Sequence, residues 1–359
     1  MQHSLFKPHV APLHASRSRL TRMHHCLEVQ ELIALIGRYG TLRSQVVLIK
    51  RINVADSFLS MVFLIQLLWL ILKPLRSLIW LPSFNYLRRL LLPHLLMRAG
   101  HTYPKIKGSV QRLTFGTVIK ISTPYSIHLE AEVTRFIHEN TTIPVPRVHD
   151  VWTNEEGKGC LIPDYMPGEM LARVWRQITH EQRRTVMRTL GLYIQELRSL
   201  PQPQPSGWIG SPSRRECYDM GITPNRLYGP FPDEKSYNDW RISTYDRYGK
   251  DGKETARRLN QIRQEMKDDH RIYFTHGDIS WRNVLVRIDG ERPEDIRVVA
   301  LLDWEQGGWR PEYWEVVKLH YGMDLTHPWR VLVREVITGD YEDDLGRENE
   351  LSLISGPPV

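Results

Sequence analysis

Three polar side chains in the last third of the chain carry the strongest chemical signal. Asp278 and Asn283 lie in the stretch His276-Gly-Asp-Ile-Ser-Trp-Arg-Asn283, and Asp303 follows an apolar run. The strand-like segments 284–288 and 296–302, joined through an Asp-Gly pair, predict an antiparallel hairpin. Because Asn283 enters the first strand and Asp303 leaves the second, both side chains should lie at one end of the hairpin, within reach of Asp278.

Two carboxylates and one amide oxygen at one point are hard oxygen ligands suited to Mg²⁺, which completes its coordination with water and phosphate oxygens. The expected ligand of such a site is a metal-bound nucleotide. If Asp278 is not a metal ligand, its carboxylate can orient and deprotonate a hydroxyl group that attacks the γ-phosphate. Alternatively, Asp278 and Asn283 simply cap turns, which Asp and Asn often do.

The residues before this stretch predict a small β-rich unit. Residues 109–122 are rich in β-branched side chains and break near Gly116, which predicts a hairpin. Residues 129–139 place Val133, Phe136 and Ile137 on one helical face. Residues 147–152 and 159–164 predict two further strands.

The second half of the chain predicts mainly helices. Residues 171–200 and 245–267 have helical patterns, and residues 201–239, rich in Pro, Gly and aromatic residues, predict a long ordered loop. Such loops often shape substrate pockets. Four aromatic residues could line an acceptor pocket or hold the loop in place: Trp208, Tyr218, Tyr228 and Trp240.

The stretch 276–283, followed by Leu302-Asp-Trp-Glu305, resembles the motifs of the aminoglycoside phosphotransferase and choline kinase-like family, whose fungal branch is nearest. The segments 139–146, 303–309 and 311–315 are also similar to that branch, and the resemblance covers about residues 108–325. It implies an α+β, bilobed protein kinase-like fold with a small β-rich N-lobe and a larger, mainly helical C-lobe. We expect the lobes at 101–165 and 166–345, followed by a tail at 346–359.

The resemblance also implies roles for individual residues. Asp278 is expected to be the catalytic base, and Asn283 and Asp303 the Mg²⁺ ligands. Lys120 matches the lysine that holds the α- and β-phosphates of ATP. Its partner should be a glutamate on the next helix, for which Glu130 fits best and Glu132 competes.

Other parts of the expected nucleotide site are less well specified. Gly116 is the one glycine of the segment 112–116, which we expect to cover the nucleotide without a Gly-x-Gly-x-x-Gly pattern. The adenine should lie near residues 162–166. We expect His276 to hold its loop by hydrogen bonds rather than to take part in chemistry.

The first hundred residues differ from the rest of the chain. They hold 13 Lys and Arg but 3 Asp and Glu, whereas residues 101–359 hold 35 and 38. The net charge of +7 therefore arises in this N-terminal extension, which argues against nucleic-acid binding by the main body. The three cysteines, Cys26, Cys160 and Cys217, form no close pair and suggest a reducing compartment.

Within the extension, residues 58–72 form an uncharged apolar run, and a longer helix to residue 81 would have to include Lys73, Pro74 and Arg76. This run is a marginal candidate for a membrane span; alternatively, it forms a helix that lies on an anionic membrane surface or packs on the body. Residues 1–26 lack acidic residues, which is typical of a targeting segment, a disordered tail or an over-extended gene model. We expect a cytoplasmic body whose catalysis survives removal of residues 1–95.

The most direct interpretation is an ATP- and Mg²⁺-dependent phosphotransferase acting on a hydroxyl group of a small molecule. The alternative is a catalytically weak pseudokinase that acts as a membrane-associated interaction module; the presence of Lys120, Asp278, Asn283 and Asp303 argues against it. An aminoglycoside acceptor would require clustered acids, and Glu312, Glu315 and Asp324 do not decide the question.

Overall fold

A computed structural model describes residues 85–355, with gaps at 105, 107, 223–225, 246–251, 322–325 and 338–339. The candidate membrane helix 58–81 and the targeting-like residues 1–26 lie outside the described residues, so the membrane-surface and targeting interpretations stay predictions. Among the described residues, no helix combines the length and the apolar character needed to cross a membrane.

The described chain forms a β-rich first part and a mainly helical second part. The helices are α1 (Asn85–Thr102), α2 (Pro124–Asn140), α3 (Leu171–Val174), α4 (His180–Ser199), α5 (Glu234–Ser243), α6 (Gly252–Glu265), α7 (Trp314–His320), α8 (Pro328–Val336) and α9 (Glu342–Ser355). The strands are β1 (Val110–Arg112), β2 (Val118–Ser122), β3 (Val148–Thr153), β4 (Gly159–Pro163), β5 (Glu169–Met170), β6 (Cys217–Tyr218), β7 (Leu227–Tyr228), β8 (Ile272–Thr275), β9 (Val284–Ile288), β10 (Ile296–Leu301) and β11 (Gly308–Pro311).

The strands divide between the two parts. The first part holds a sheet with the order β1-β2-β4-β3, and α2 packs on it through Ile127 and Ala131, which contact Leu161 of β4. The second part holds the sheet β10-β9-β5 and the pairs β11-β8 and β6-β7 among its helices. The predicted α+β fold with a small β-rich lobe and a larger helical lobe is confirmed.

Helix α2 begins earlier than the predicted residue 129. Pro124 occupies its first turn, where the missing N–H of proline costs nothing. Buried residues then recur at helical spacing, as in the pairs Ile127/Ala131 and Val133/Ile137, each four positions apart. The apolar pattern therefore identified the helix but not its N-terminal turn.

The hairpin β9–β10 forms as predicted, with an irregularity between Val298 and Ala300. Helix α4 holds the turn of this hairpin. Thr179 and Gln182 form a reciprocal capping box at the start of α4. The Gln182 amide also donates to Gly290 O (2.9 Å) and Arg292 O (3.1 Å). One glutamine thus both caps the helix and fixes the far end of the hairpin.

The segment predicted as a loop over 201–239 is only partly a loop. Helix α5 begins at Glu234, because the Asp233 side chain caps it by accepting from Ser236 N (2.7 Å). Trp208 lies in the core against Trp309, and Tyr228 stacks on Trp240 with ring centroids 4.7 Å apart. These aromatic side chains therefore hold the segment in place.

Helix α1 crosses the predicted boundary at residue 100 and packs on β3. The guanidinium of Arg89 binds the Asp150 carboxylate through two hydrogen bonds of 2.8 and 3.1 Å. Nε of the buried Arg88 lies 3.9 Å from the same carboxylate. The last turns of the predicted extension therefore contact the N-lobe. The exact division of the chain into lobes stays a prediction.

Two helices of the C-lobe meet at His270. Its Nδ1 lies 2.8 Å from Glu234 Oε1 of α5, and its Nε2 lies 3.6 Å from Asp344 Oδ2 of α9. Hydrogen bonds to Asp344 and Glu234 raise the pKa of His270 from 6.5 to about 10. The charged imidazole therefore joins the two helices at neutral pH.

We expect this ion cluster to make stability depend on pH. Because the folded-state pKa lies above the unfolded value, the charged His270 stabilises the fold fully below about pH 6.5, and this contribution is lost as the pH rises towards 10. The free energy of unfolding of His270→Gln should therefore fall below wild type by more at about pH 6 than at about pH 9.5. Urea denaturation of both proteins measures the difference; a deficit independent of pH would contradict the expectation.

Candidate active site

Lys120 on β2 lies at the centre of an acidic cluster between the lobes. Its Nζ is 2.8 Å from Glu130 Oε2 of α2 and 3.8 Å from Glu305 Oε2, and it donates a hydrogen bond to Asp303 Oδ1. Burial alone would lower the pKa of Lys120, but Glu130 and Asp303 raise it above its ordinary value. Burial raises the pKa of Glu130 to about 7 despite the attraction of Lys120.

The two candidate partners of Lys120 have different surroundings. Glu130 faces Lys120, whereas Glu132 accepts hydrogen bonds from Ser213 Oγ (2.7 Å) and from Arg215. Two positions along a helix rotate a side chain by more than half a turn, so only one of the two acids can face the cleft. The structure therefore brings Glu130 to Lys120 and directs Glu132 towards the C-lobe.

Residues 276–283 form a loop before β9, called the motif loop, which His276 and Glu315 hold in place. The Asp278 N–H donates to His276 Nδ1 (3.1 Å), and His276 Nε2 lies 3.0 Å from Leu302 O. Burial lowers the pKa of His276 to about 4, so the ring is neutral, accepts through Nδ1 and donates through Nε2. This geometry agrees with the structural role expected for His276.

Glu315 on α7 contributes in a way that the sequence did not reveal. Its buried carboxylate accepts from His276 N (2.5 Å) and Gly277 N (3.3 Å), and burial raises its pKa to about 7. Gly277 has φ 74°, and a Cβ there would lie 2.8 Å from Gln306 O. Glycine at position 277 is therefore required for the loop to approach this close to residue 306.

The loop presents Asp278 beside Asn283. The Asn283 amide donates to Asp278 Oδ2 (2.9 Å) and Asp278 O (2.9 Å). Burial raises the pKa of Asp278 to about 6, and the charge of Lys318 opposes that rise. Leu302 N donates to Asn283 O (2.8 Å), which places Asp303 next to Asn283. The hairpin thus brings all three predicted side chains to one end.

Asp303 adopts the left-handed conformation, with φ 66° and ψ 58°, directly after β10. Its carboxylate, Glu130 and Glu305 offer oxygen atoms that all lie within 4.8 Å of one another. Carboxylate oxygens, like the amide oxygen of Asn283, are hard donors of the kind that Mg²⁺ prefers. Glu305 was missed as a site residue, although its spacing in Asp303-Trp-Glu305 was a usable signal. It also contacts Ser126 Oγ of α2.

A cavity of about 580 Å³ opens between the lobes at this cluster. Its lining includes the predicted residues Lys120, Glu130, Asn283 and Asp303, and the connection between the lobes from Pro163 to Met166. The predicted adenine region therefore borders the same cavity as the acidic cluster. Further lining residues come from the segment before β1, namely Pro104, Ile106, Gly108 and Ser109.

The structure places Gly116 beside the connection between the lobes, and its assignment to the nucleotide site stays a prediction. Gly116 is not among the residues that line this cavity, and its carbonyl accepts from Tyr165 N (2.8 Å) in the connection between the lobes. The turn between β1 and β2 therefore lies beside that connection. The turn before β1, which holds Gly108 at φ 53°, lines the cavity instead.

A buried ion pair lies on the C-lobe side of the motif loop. Lys318 Nζ of α7 is 2.9 Å from Asp219 Oδ1 and 3.2 Å from Gln306 Oε1. Gln306 packs on Gly277, so the pair supports the loop that carries Asp278. Tyr218, next to Asp219, packs on Tyr125 of α2 with ring centroids 5.4 Å apart. Of the four predicted pocket aromatics, Tyr218 is therefore the one tied to the active-site elements.

The acids considered for a polycationic acceptor are engaged elsewhere. Glu315 binds the backbone of the motif loop, and Glu312 accepts from Arg271 (3.2 Å) and Tyr341 (3.2 Å). Asp324 lies outside the described residues. Within the described part of the chain, neither Glu312 nor Glu315 is thus placed to bind an ammonium group of an acceptor.

Comparison with known protein families identifies the family of the chain. The model of the phosphotransferase enzyme family matches residues 112–351. The chain therefore belongs to this family and is a phosphotransferase. This confirms the family resemblance read from the motifs, while the assignment to the fungal branch stays a prediction. A comparison with curated proteins gives no match.

Several solved aminoglycoside phosphotransferases are similar to the chain at low identity. The GDP and kanamycin complex of APH(2")-IIia shows 12% identity over 74% of this chain and 88% of that one, with a TM-score of 0.47. The ternary complex of APH(2")-IIa with streptomycin and ATP shows 12% identity, coverage of 73% and 86%, and a TM-score of 0.44. For APH(4)-Ia the values are 12%, 67%, 86% and 0.39.

Proposed function

We propose that this protein is an ATP- and Mg²⁺-dependent phosphotransferase that transfers the γ-phosphate to a hydroxyl group of a small molecule. The observation that supports this most is the convergence of Lys120, Glu130, Asn283 and Asp303 on one cleft of about 580 Å³. Beside that cleft, the Asp278 carboxylate accepts a hydrogen bond from the Asn283 amide.

The nucleotide roles follow from this arrangement. The backbone from Pro163 to Met166 would hold the adenine, and Lys120 would bind the α- and β-phosphates while Glu130 orients its ammonium group. Asn283 and Asp303 would hold Mg²⁺, with Glu305 as a further carboxylate close by. The bound ion neutralises negative charge on the phosphates during transfer.

Asp278 is the group that we assign as the catalytic base. Its Oδ2 accepts from Asn283, so we assign Oδ1 to the acceptor hydroxyl. With a pKa of about 6, the carboxylate is mostly ionised at neutral pH and can take the hydroxyl proton. The acceptor oxygen then bonds to the γ-phosphorus as the bond to the bridging oxygen of ADP breaks.

The acceptor would lie on the C-lobe side of Asp278, near Tyr218 and the Lys318–Asp219 pair. The similar solved structures carry kanamycin and streptomycin in their names. We do not extend the proposal to an aminoglycoside, because Glu312 and Glu315 are engaged within the protein.

Calorimetric binding of ATP to the full chain, with and without Mg²⁺, tests this proposal. Wild type should bind ATP more tightly with Mg²⁺. Asp303→Asn should weaken the binding of Mg²⁺·ATP by at least about tenfold, because a metal ligand is lost. Asp289→Asn is the matched control, since Asp289 lies at the other end of the same hairpin and pairs with Arg287.

Two other results of this titration would contradict parts of the proposal. Equal binding by Asp303→Asn and wild type would remove Asp303 from the metal site. Well-folded wild-type protein that binds no nucleotide would instead favour the pseudokinase alternative, in which the chain acts as an interaction module.

A further inference from the structure

The part of the cleft nearest the N-terminus of the described chain is formed by the segment between α1 and β1. Pro104, Ile106, Gly108 and Ser109 of this segment line the cavity. The Gly108–Ser109 turn leads directly into β1, whose partner β2 carries Lys120. We call the segment between α1 and β1 the covering segment, because it is placed to cover a nucleotide whose phosphates reach Lys120.

The segment continues from α1 and is tied to it. Tyr103 N donates to Ala99 O (2.8 Å), which extends the last helical turn. Gln111 of β1 donates to Leu96 O of α1 (3.4 Å). The Arg112 guanidinium lies 4.7 Å from the centre of the Tyr103 ring. The position of the covering segment therefore follows the position of α1.

Helix α1 crosses the sheet from one edge to the other. Its C-terminal half contacts β1, and its N-terminal turn contacts β3, the opposite edge of the order β1-β2-β4-β3. Its 18 residues span about 27 Å, which exceeds the width of roughly 15 Å of a four-stranded sheet. Val151 faces α2 while its neighbours Asp150 and Trp152 face α1, so the two helices cover opposite faces.

The contacts that anchor α1 on β3 centre on the buried carboxylate of Asp150. Asp150 is 2% exposed and receives two hydrogen bonds from Arg89, with Arg88 3.9 Å away. Arg89 also lies 5.0 Å above the Trp152 ring. Asp150 does not line the nucleotide cavity. An effect of Asp150 on nucleotide binding can pass through α1, or through Ile162 of β4, which pairs with Asp150 and precedes Pro163 of the cavity lining. The variant Arg89→Ala leaves β3 and β4 unchanged and reports on the route through α1 alone.

We propose that α1 is a positioning element for the nucleotide, and that Asp150 sets the affinity for Mg²⁺·ATP by anchoring α1 so that the covering segment stays over the cleft. The inference rests on the proposed function. Anchoring restricts a segment that would otherwise lose freedom when the nucleotide binds, and such preorganisation strengthens binding.

The test measures Mg²⁺·ATP affinity and thermal stability together, using the full chain. Asp150→Asn should weaken the binding of Mg²⁺·ATP by about tenfold, a coupling of ordinary size. Asp150→Glu keeps the charge and should bind closer to wild type. Glu348→Gln is the matched control, because it breaks another buried ion pair, with Arg241 at 2.5 Å. It should lower the melting temperature and leave nucleotide affinity unchanged.

The possible results separate this inference from the function on which it rests. If wild type fails to bind Mg²⁺·ATP, the proposed function fails and the inference with it. If wild type binds and Asp150→Asn binds equally well, α1 is only structural. An equal loss in Glu348→Gln would also overturn the inference. If Asp150→Asn does not fold, Arg89→Ala replaces it, since Arg88 remains beside Asp150 in that variant. An affinity of Arg89→Ala for Mg²⁺·ATP equal to that of wild type would contradict the proposal.

Discussion

Replacing Asp278 with asparagine is expected to reduce Mg²⁺-dependent ATP turnover by about 100- to 10,000-fold, the usual contribution of a general base. Asparagine has the size of aspartate but cannot take a proton from the acceptor. Its amide oxygen can still accept from Asn283 Nδ2, so the loop should keep its shape. ADP formation with water as the acceptor, compared between variant and wild type, measures the loss.

Two further measurements make this result specific to the base. Binding of Mg²⁺·ATP to Asp278→Asn should stay within a few-fold of wild type, because Lys120 and Asp303 are untouched. Glu294→Gln, an exposed acid beside the same hairpin, should retain full turnover. If Asp278→Asn retains most of its turnover, Asp278 is not the base.

A chain that begins at residue 96 is expected to be much less stable than one that begins at residue 77. The shorter chain lacks Arg88 and Arg89, the two arginines that lie against the buried Asp150 carboxylate. Breaking a buried ion pair by removing one side typically costs about 3–5 kcal/mol. That is a large share of the stability of about 5–15 kcal/mol of an ordinary domain.

Expression and urea denaturation of the two truncated chains test this expectation. The second compact unit of the chain spans Ser77–Val359, so the longer chain is the matched control and should fold. The structure thus revises the expectation that residues 1–95 can be removed without harm. A stable, nucleotide-binding protein from residue 96 onward would show that the α1 contacts with Asp150 are dispensable.

The active-site end of the hairpin could be predicted from the sequence because the residues that form the hairpin are close together in the chain. Strand, turn and strand follow one another between Asn283 and Asp303, so period-two patterns place both ends of the hairpin without knowledge of the rest of the fold. Lys120 and Glu130 could be assigned by resemblance because a strand followed by a helix carries them.

The remaining features depend on contacts between distant segments. Whether Gly116 or Gly108 covers the cleft depends on which end of β1 faces the C-lobe, and no local pattern encodes that. Glu315 and Lys318 reach the motif loop from α7, through a tertiary contact that the spacing of their own segment does not reveal. Arg89 and Asp150 are 61 positions apart.

The left-handed backbone of Asp303 determines which substitutions at this position can be interpreted. Asparagine tolerates φ near 60°, because its short polar side chain suits that conformation. Alanine would add strain of about 1–2 kcal/mol, and its effect would mix a displaced main chain with a missing ligand. The same strain could shift Trp304, which is fully buried next to it. An alanine scan would therefore overstate the importance of the Asp303 carboxylate, whereas asparagine isolates the lost charge.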